Sequence, residues 1–130
     1  RRDPQPRRMT LRERIIPPDP RAVGDEPDYR FTLANERTFL AWIRTALALA
    51  AGGLAAVGLL DEFRGNEVLG IGLLVLSFLT AASAYRRWSL NERSMRLNEP
   101  LPSSRLPVLM AIGTAIVAVV AAVLLVLDPA

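Results

Sequence analysis

Three blocks of apolar residues dominate the chain and leave it few ways to fold. Residues 39–60 are apolar apart from Arg44 and Thr45, residues 68–85 carry no charge, and residues 106–127 carry none either. An α-helix rises about 1.5 Å per residue, so roughly 20 residues cross a hydrocarbon layer of about 30 Å. Each block is long enough, or nearly so. A water-soluble fold would have to cover three wholly apolar helices with almost no remaining chain. The pattern predicts an all-α membrane protein with three transmembrane helices, a flexible Pro/Arg-rich tail at 1–28 and a three-helix domain at 29–130.

Charge sets the expected orientation. All 16 basic residues are arginine, and most flank the first block on its N-terminal side or lie between the second and third. The loop between the first two blocks, "DEFRGNE", holds only Arg64 among three acids, and the C-terminal end carries only Asp128. By the positive-inside rule the N-terminus and the second loop are cytoplasmic, while the first loop and the C-terminus are outside. The first 32 residues have no apolar core of signal-peptide length, so the first helix is expected to act as its own insertion signal, and Met9 is a candidate start. Without cysteine there are no disulfides and no thiolate metal sites.

Prolines at 4, 6, 17, 18, 20 and 27, with mixed charge, give the tail too little apolar surface to offset ordering. Within it "MTLRERII", residues 9–16, can form an amphipathic turn or two on the membrane surface before Pro17 and Pro18 end it. The stretch "YRRWSLNERSMRLNEP" has no proline or glycine before Pro100, which predicts that the second helix continues past the membrane to about Asn98. By the same reasoning the first helix starts near Thr32 or Leu33. Two charged helix ends then project side by side into the cytoplasm.

These ends echo each other. "LANERTF" at 33–39 and "SLNERSM" at 89–95 share Asn-Glu-Arg followed by Thr or Ser. Arg30, Arg37 and Arg44 are spaced by sevens and fall near one helical stripe, and Arg86 and Arg93 repeat the spacing. Glu92 precedes Arg96 by four, the favourable direction for an intrahelical ion pair. Trp42 and Trp88 serve as interface anchors, which places Arg44 about a turn inside. An arginine at the bilayer centre costs about 2.5–3.5 kcal/mol, but a side chain leaning toward the N-terminus can return its guanidinium to headgroup level.

Two readings of Arg44 stand side by side: a lipid-phosphate anchor, or part of a site. The second follows if the short connection brings Arg37 and Arg44 near Arg86, Arg87 and Arg93. Several guanidiniums in one partly dehydrated place bind phosphate oxygens. Asn35 and Asn91 would add neutral donors, and Glu36 and Glu92 would orient the arginines and offset their repulsion.

The stretch "DYRFTLANERTFLAWIRTALAL", with its Asn-Glu-Arg-Thr-Phe-Leu-x-Trp motif at Asn35 to Trp42, resembles the YidH family of small bacterial inner-membrane proteins, grouped around a domain of unknown function. The resemblance covers roughly residues 28–127 and implies a multi-pass protein of the bacterial plasma membrane. The same domain is similar to the membrane part of the vacuolar transporter chaperone complex, whose membrane subunits assemble around a polyphosphate path lined by basic residues. That likeness implies phosphate-rich ligands and a homo-oligomer or small hetero-complex. It carries Arg37 and Arg44 over as ligand contacts, and Arg93 after them.

This chain departs from that complex. These 130 residues include no polymerase or phosphate-sensing domain, the spans hold no basic residue beyond Arg44, and the outer loop is net acidic. A polyanion would leave its favourable contacts halfway across and meet like charge at the exit.

Small residues four apart, at Ala48 and Gly52, Gly52 and Ala56, Ala111 and Ala115, and Ala118 and Ala122, offer close helix packing. "GIG" at 70–72 lies within an apolar span with no strand before it, so it is not a nucleotide loop. With no histidine, no cysteine and glutamates set beside arginines, neither an enzyme nor a metal site is expected, and no cofactor. The basic balance reads as contact with anionic membrane lipids rather than nucleic acid. The expected function is a non-enzymatic oligomeric membrane protein with an arginine-lined anion site at its cytoplasmic face, binding phosphate, polyphosphate or a phospholipid headgroup as an accessory or scaffold. The alternative is a channel or transporter component for an anion or polyphosphate.

Overall fold

The computed structural model describes residues 10–16 and 18–128, and the regular structure among these is entirely helical. The arginines at 1, 2, 7 and 8, Met9 and Pro17 lie outside the described residues. The elements are α1 (Leu11–Ile15), a 3-10 turn (Pro20–Ala22), α2 (Tyr29–Leu59), α3 (Asn66–Arg96) and α4 (Leu106–Leu127). The last three are long and apolar enough to cross a membrane. At 31 residues each, α2 and α3 run about 46 Å and outreach a hydrocarbon layer of about 30 Å by roughly 16 Å. Helix α4, with 22 residues, just spans it.

Local chemistry sets the ends. Helix α2 begins at Tyr29, a turn earlier than Thr32 or Leu33, because the Asp28 side chain accepts a hydrogen bond from the Arg30 backbone N–H at 3.0 Å. That capping oxygen satisfies one of the donors a helix start leaves open. Helix α3 ends at Arg96, just short of the expected Asn98. Asn98 takes a left-handed φ of 52°, the Glu99 N–H bonds the Ser94 carbonyl at 2.9 Å and the Asn98 N–H bonds the Met95 carbonyl at 3.4 Å. This pair of bonds around a left-handed residue is a Schellman stop, with asparagine in the usual glycine place.

Helices α2 and α3 form an antiparallel hairpin closed by Gly65 at φ 88°. Their contact is built from small residues: Ala46, Gly53 and Ala56 on α2, Gly70 and Ala84 on α3 are buried. At the closest point a Cβ on Gly53 would lie 2.8 Å from the Gly70 carbonyl oxygen. Lipid supplies no hydrophobic drive between helices, so close backbone approach and polar contacts hold them instead. Nearer the arginine-rich end, the Ser77 hydroxyl donates to the Ala46 carbonyl at 2.6 Å, and buried Asn35 donates from Nδ2 to the Trp88 carbonyl at 3.0 Å. Asn91 donates to the Asn35 Oδ1 at 3.3 Å.

Helix α4 lies against α3. Leu106 and Met110 pack on Leu76, with Trp42, Leu49 and Val117 around them. The fully buried Thr80 hydroxyl lies 2.7 Å from the Leu76 carbonyl and 2.8 Å from Met110 Sδ. Ala111, Ala115, Ala118 and Ala122 face outward or nearly so, so the small-residue pairs of α4 are not its contact with α3. Large apolar side chains such as Leu47, Leu54, Phe78, Ile116 and Val119 are exposed, as a surface bathed in lipid requires.

The segment before α2 folds back on the end of α3. Pro20 is buried, and the Asp25 N–H donates to the Arg96 carbonyl at 3.2 Å. Gly24, at φ 63°, lies so close that any Cβ would strike that carbonyl.

Candidate functional site

Helical geometry separates the arginines that sequence spacing seemed to gather. At about 100° per residue, Asn35, Ala46 and Gly53 share the face of α2 that packs on α3. Arg30, Arg37 and Arg44 fall roughly 180° from it. All three are exposed, so Arg37 and Arg44 form an outward stripe and do not converge with the arginines of α3. Arg93 is half-buried on a face of α3 turned away from α2.

What does converge lies between α3 and the start of α4. A cavity of about 340 Å³ is lined by Arg86 and Arg87 from α3 and by Ser103, Ser104 and Arg105 from the connection into α4. Ser104 helps to shape that connection: its hydroxyl accepts from the Leu106 N–H at 3.2 Å at the start of the helix. Among the described residues, three guanidiniums and three hydroxyls, that of Ser83 on α3 included, surround one space and supply many donors and, apart from hydroxyl lone pairs, no side-chain acceptor. Such a donor set matches a phosphate or another oxyanion and repels a metal ion. Among the described residues, no three His, Cys, Asp or Glu side chains gather closely enough to hold a metal.

Arg87 also borders a narrow slot between α2 and α3, with Asn35, Trp42 and Asn91. Asn35 and Asn91 thus join the two helices to each other, and their amides are used in that join. Glu36 is exposed, whereas Glu92 is 3% exposed. Glu92 Oε1 lies 3.4 Å from Arg96 Nε, the ion pair that four-residue spacing predicts. Both tryptophans are half-buried. Trp42 leans on the Leu76, Leu106 and Met110 cluster, and Trp88 packs between Phe39 and Tyr85, with ring centroids 6.2 and 6.0 Å away.

Arg105, Ser103 and Ser104 did not emerge from the sequence as site residues. Their signal there was only a short polar stretch, "PSSR", before an apolar span. Its nearness to Arg86 depends on how α4 packs, which periodicity does not encode.

Three spanning helices with charged extensions on one pair of helix ends define a small multi-pass membrane protein. The chain belongs to the family described as a domain of unknown function, DUF202, whose sequence model matches residues 30–94. It is 49% identical over 108 residues to the uncharacterized protein Rv2272 of Mycobacterium tuberculosis strain H37Rv, covering 81% of this chain and 88% of that protein. It is 44% identical over 101 residues to the inner membrane protein YidH of Escherichia coli strain K12, covering 75% of this chain and 88% of that protein. No solved structure matches it. The likeness to YidH and the three spans make this a multi-pass inner-membrane protein of the YidH family. The matched segment 30–94 contains Arg37, Arg44, Arg86, Arg87 and Arg93 and stops short of Arg105.

Proposed function

We propose that this protein is a non-enzymatic accessory or scaffold subunit of an oligomeric membrane complex, and that it binds a phosphate-bearing anion at its cytoplasmic face. The observation that supports this reading is the α3–α4 cavity lined by Arg86, Arg87 and Arg105 with Ser103 and Ser104. Guanidiniums grip phosphate oxygens two at a time, and three of them around one space favour an anion of more than one charge. Arg37 and Arg44, exposed on the outer face of α2, contact lipid phosphate from the membrane side. The phosphate comes from a phospholipid headgroup or from a free phosphate or polyphosphate chain, the source that the likeness to the vacuolar transporter chaperone complex favours.

The absence of histidine and cysteine supports a binding rather than a catalytic role. Beyond Arg44 the spans offer no basic lining to carry an anion outward, so transport has no observation in its favour.

Native mass spectrometry of the detergent-solubilised protein tests this. Wild type and Arg37→Ala are expected to retain a phosphate-containing ligand and the same subunit number. Arg87→Ala and Arg105→Ala should each lose it, at about 1.5–3 kcal/mol per charge-assisted bond. The mass of the retained species separates a phospholipid from free phosphate or polyphosphate. A wild type without ligand, or cavity variants that keep it, sinks the proposal.

A further inference from the structure

A second cavity, of about 270 Å³, lies on the other side of α3, walled by α2, by the C-terminal end of α3 and by the segment that folds back before α2. On α3 its lining residues Trp88, Glu92 and Arg96 fall roughly 180° around the helix from Arg86, Arg87 and Leu90 of the arginine cavity. The two spaces are separate, and their chemistry differs.

Three buried polar atoms on one and a half turns of α3 have no partner among the described residues: Trp88 Nε1, Ser89 Oγ and Glu92 Oε2. Ser89 is 1% exposed and Glu92 3%. Buried polar groups nearly always have a hydrogen-bond partner, and an ionised carboxylate oxygen deep in a structure is among the costliest to leave bare. The carboxylate of Glu92 is only half engaged, through Oε1 and Arg96 at 3.4 Å. Its other oxygen needs a donor, and the Trp88 indole N–H needs an acceptor.

Charge and shape narrow the ligand. The cavity wall carries three carboxylates, Glu26, Glu36 and Glu92, against two guanidiniums, Arg21 and Arg96, leaving one negative charge in excess. Tyr29 and Trp88 add aromatic surface, which also attracts a cation. A metal ion would want several oxygens around it, and no such cluster exists among the described residues. An ammonium group supplies N–H donors for the carboxylates and suits the aromatic walls.

We propose that this cavity binds an amino alcohol or its phosphate ester: a primary ammonium donating to Glu92 Oε2 and Glu36, with the neighbouring oxygen accepting from Trp88 Nε1. The site lies at Trp88 to Arg96, in the part of α3 that outreaches the apolar span. An amine reaches it either as a lipid headgroup or free in solution. This site is independent of the anion cavity and holds whether or not that one is occupied.

The indole N–H resonances of the two tryptophans read the site directly, with Trp42→Phe assigning them. In micelles free of aminophospholipid, ethanolamine hydrochloride is expected to shift the Trp88 signal saturably. Sodium chloride at the same ionic strength should not, and ethylammonium, which lacks the oxygen, should bind at least about tenfold more weakly. Glu92→Gln should weaken ethanolamine binding at least about tenfold, while Arg105→Ala leaves it unchanged. Should Glu92→Gln fail to fold by circular dichroism, Glu36→Gln, altered at an exposed side chain, decides by a severalfold weakening.

Nanodiscs distinguish the sources. A Trp88 shift in phosphatidylethanolamine over phosphatidylglycerol, with no further response to ethanolamine, assigns the site to a headgroup. A further response in phosphatidylethanolamine discs assigns it to the free amine. No saturable shift from either source means that water alone fills the cavity, and the proposal is overturned. Unchanged binding in Glu36→Gln together with a folded, fully binding Glu92→Gln overturns it equally.

Discussion

Gly70→Ala and Gly72→Ala pose one question at two neighbouring sites and should receive opposite answers. In a helix interior, alanine in place of glycine gains about 1 kcal/mol, because it loses less backbone freedom on folding. At Gly72 a new Cβ meets nothing within 4 Å, so that gain stands alone. At Gly70 the new Cβ would lie 2.8 Å from the Gly53 carbonyl oxygen, against ordinary contact at 3.4–4 Å, and would strike Val57 Cγ2. Neither neighbour can yield: the oxygen belongs to the facing backbone, and valine in a helix is held to nearly one rotamer. Overpacking of this kind typically costs about 1–3 kcal/mol, and unyielding neighbours put it near the top of that range. Subtracting the propensity gain leaves Gly70→Ala less stable by about 2 kcal/mol, and the two variants differ by about 3 kcal/mol, some two powers of ten in the unfolding equilibrium. Reversible unfolding in mixed micelles of increasing dodecyl sulfate content, followed by far-UV circular dichroism, measures both. Equal stabilities, or a Gly70→Ala protein more stable than wild type, would show that α2 and α3 do not cross at Gly53 and Gly70.

The same titration checks three further expectations. Gly65→Ala should lose about 1–2 kcal/mol, because its φ of 88° is costly for any residue with a Cβ, while the Leu124 side chain 2.8 Å away can bend aside; no loss would mean that the hairpin turns elsewhere. Ser77→Ala removes the 2.6 Å bond to the Ala46 carbonyl and should cost about 0.6 kcal/mol, the usual worth of a polar contact between membrane helices; a cost above about 2 kcal/mol would refute so modest a role. Arg44→Ala should stay within about 0.5 kcal/mol of wild type, as an exposed side chain away from both helix contacts, and a larger loss would place Arg44 in a packed interface.

The three spans were legible because a bilayer imposes length and polarity so bluntly that hydropathy alone reveals both. The extension of α3 was legible for a similar reason, since nothing breaks it before Leu97. The faces were harder. Spacing by sevens correctly put Arg30, Arg37 and Arg44 on one stripe, but a stripe does not say which way it points. That is decided by Asn35, Ala46 and Gly53, whose small or amide side chains let α3 approach, and a helix cannot show the same face to both neighbour and lipid. The small-residue pairs read four apart drew attention to Ala48 and Gly52, which are exposed, and to Ala56, which is buried in the contact, while Ala46 and Gly53, buried beside it, lie seven apart. Arg105 was illegible for a different reason. Its company with Arg86 and Arg87 follows from Met110 and Leu106 packing on Leu76, a contact between residues some thirty positions apart that no local pattern announces.

Helix α4 gives the arginine cavity its physical interest. It is tied down by Leu106 and Met110 against Leu76, with Gly113 and Val117 beside them, and at its far end by Leu124 beside Gly65 and the Arg64 N–H donating to Asp128 at 3.1 Å. Its Ile112, Ile116 and Val119 are exposed. In water the hydrophobic effect would press such a helix home along its whole length; in lipid it does not, and position rests on these few contacts. An anion held by Arg86 and Arg87 on one side and Arg105 on the other would bridge α3 and α4 where α4 enters the membrane. Binding and docking are then linked in both directions. A ligand at a hundred times its Kd would add about 2.7 kcal/mol to the docked arrangement over one that cannot bind it, comparable to several of the polar contacts that hold the hairpin. Under the proposed function, α4 is therefore the element whose stance reports occupancy, and its lipid-facing apolar side is where a neighbouring subunit would sense it.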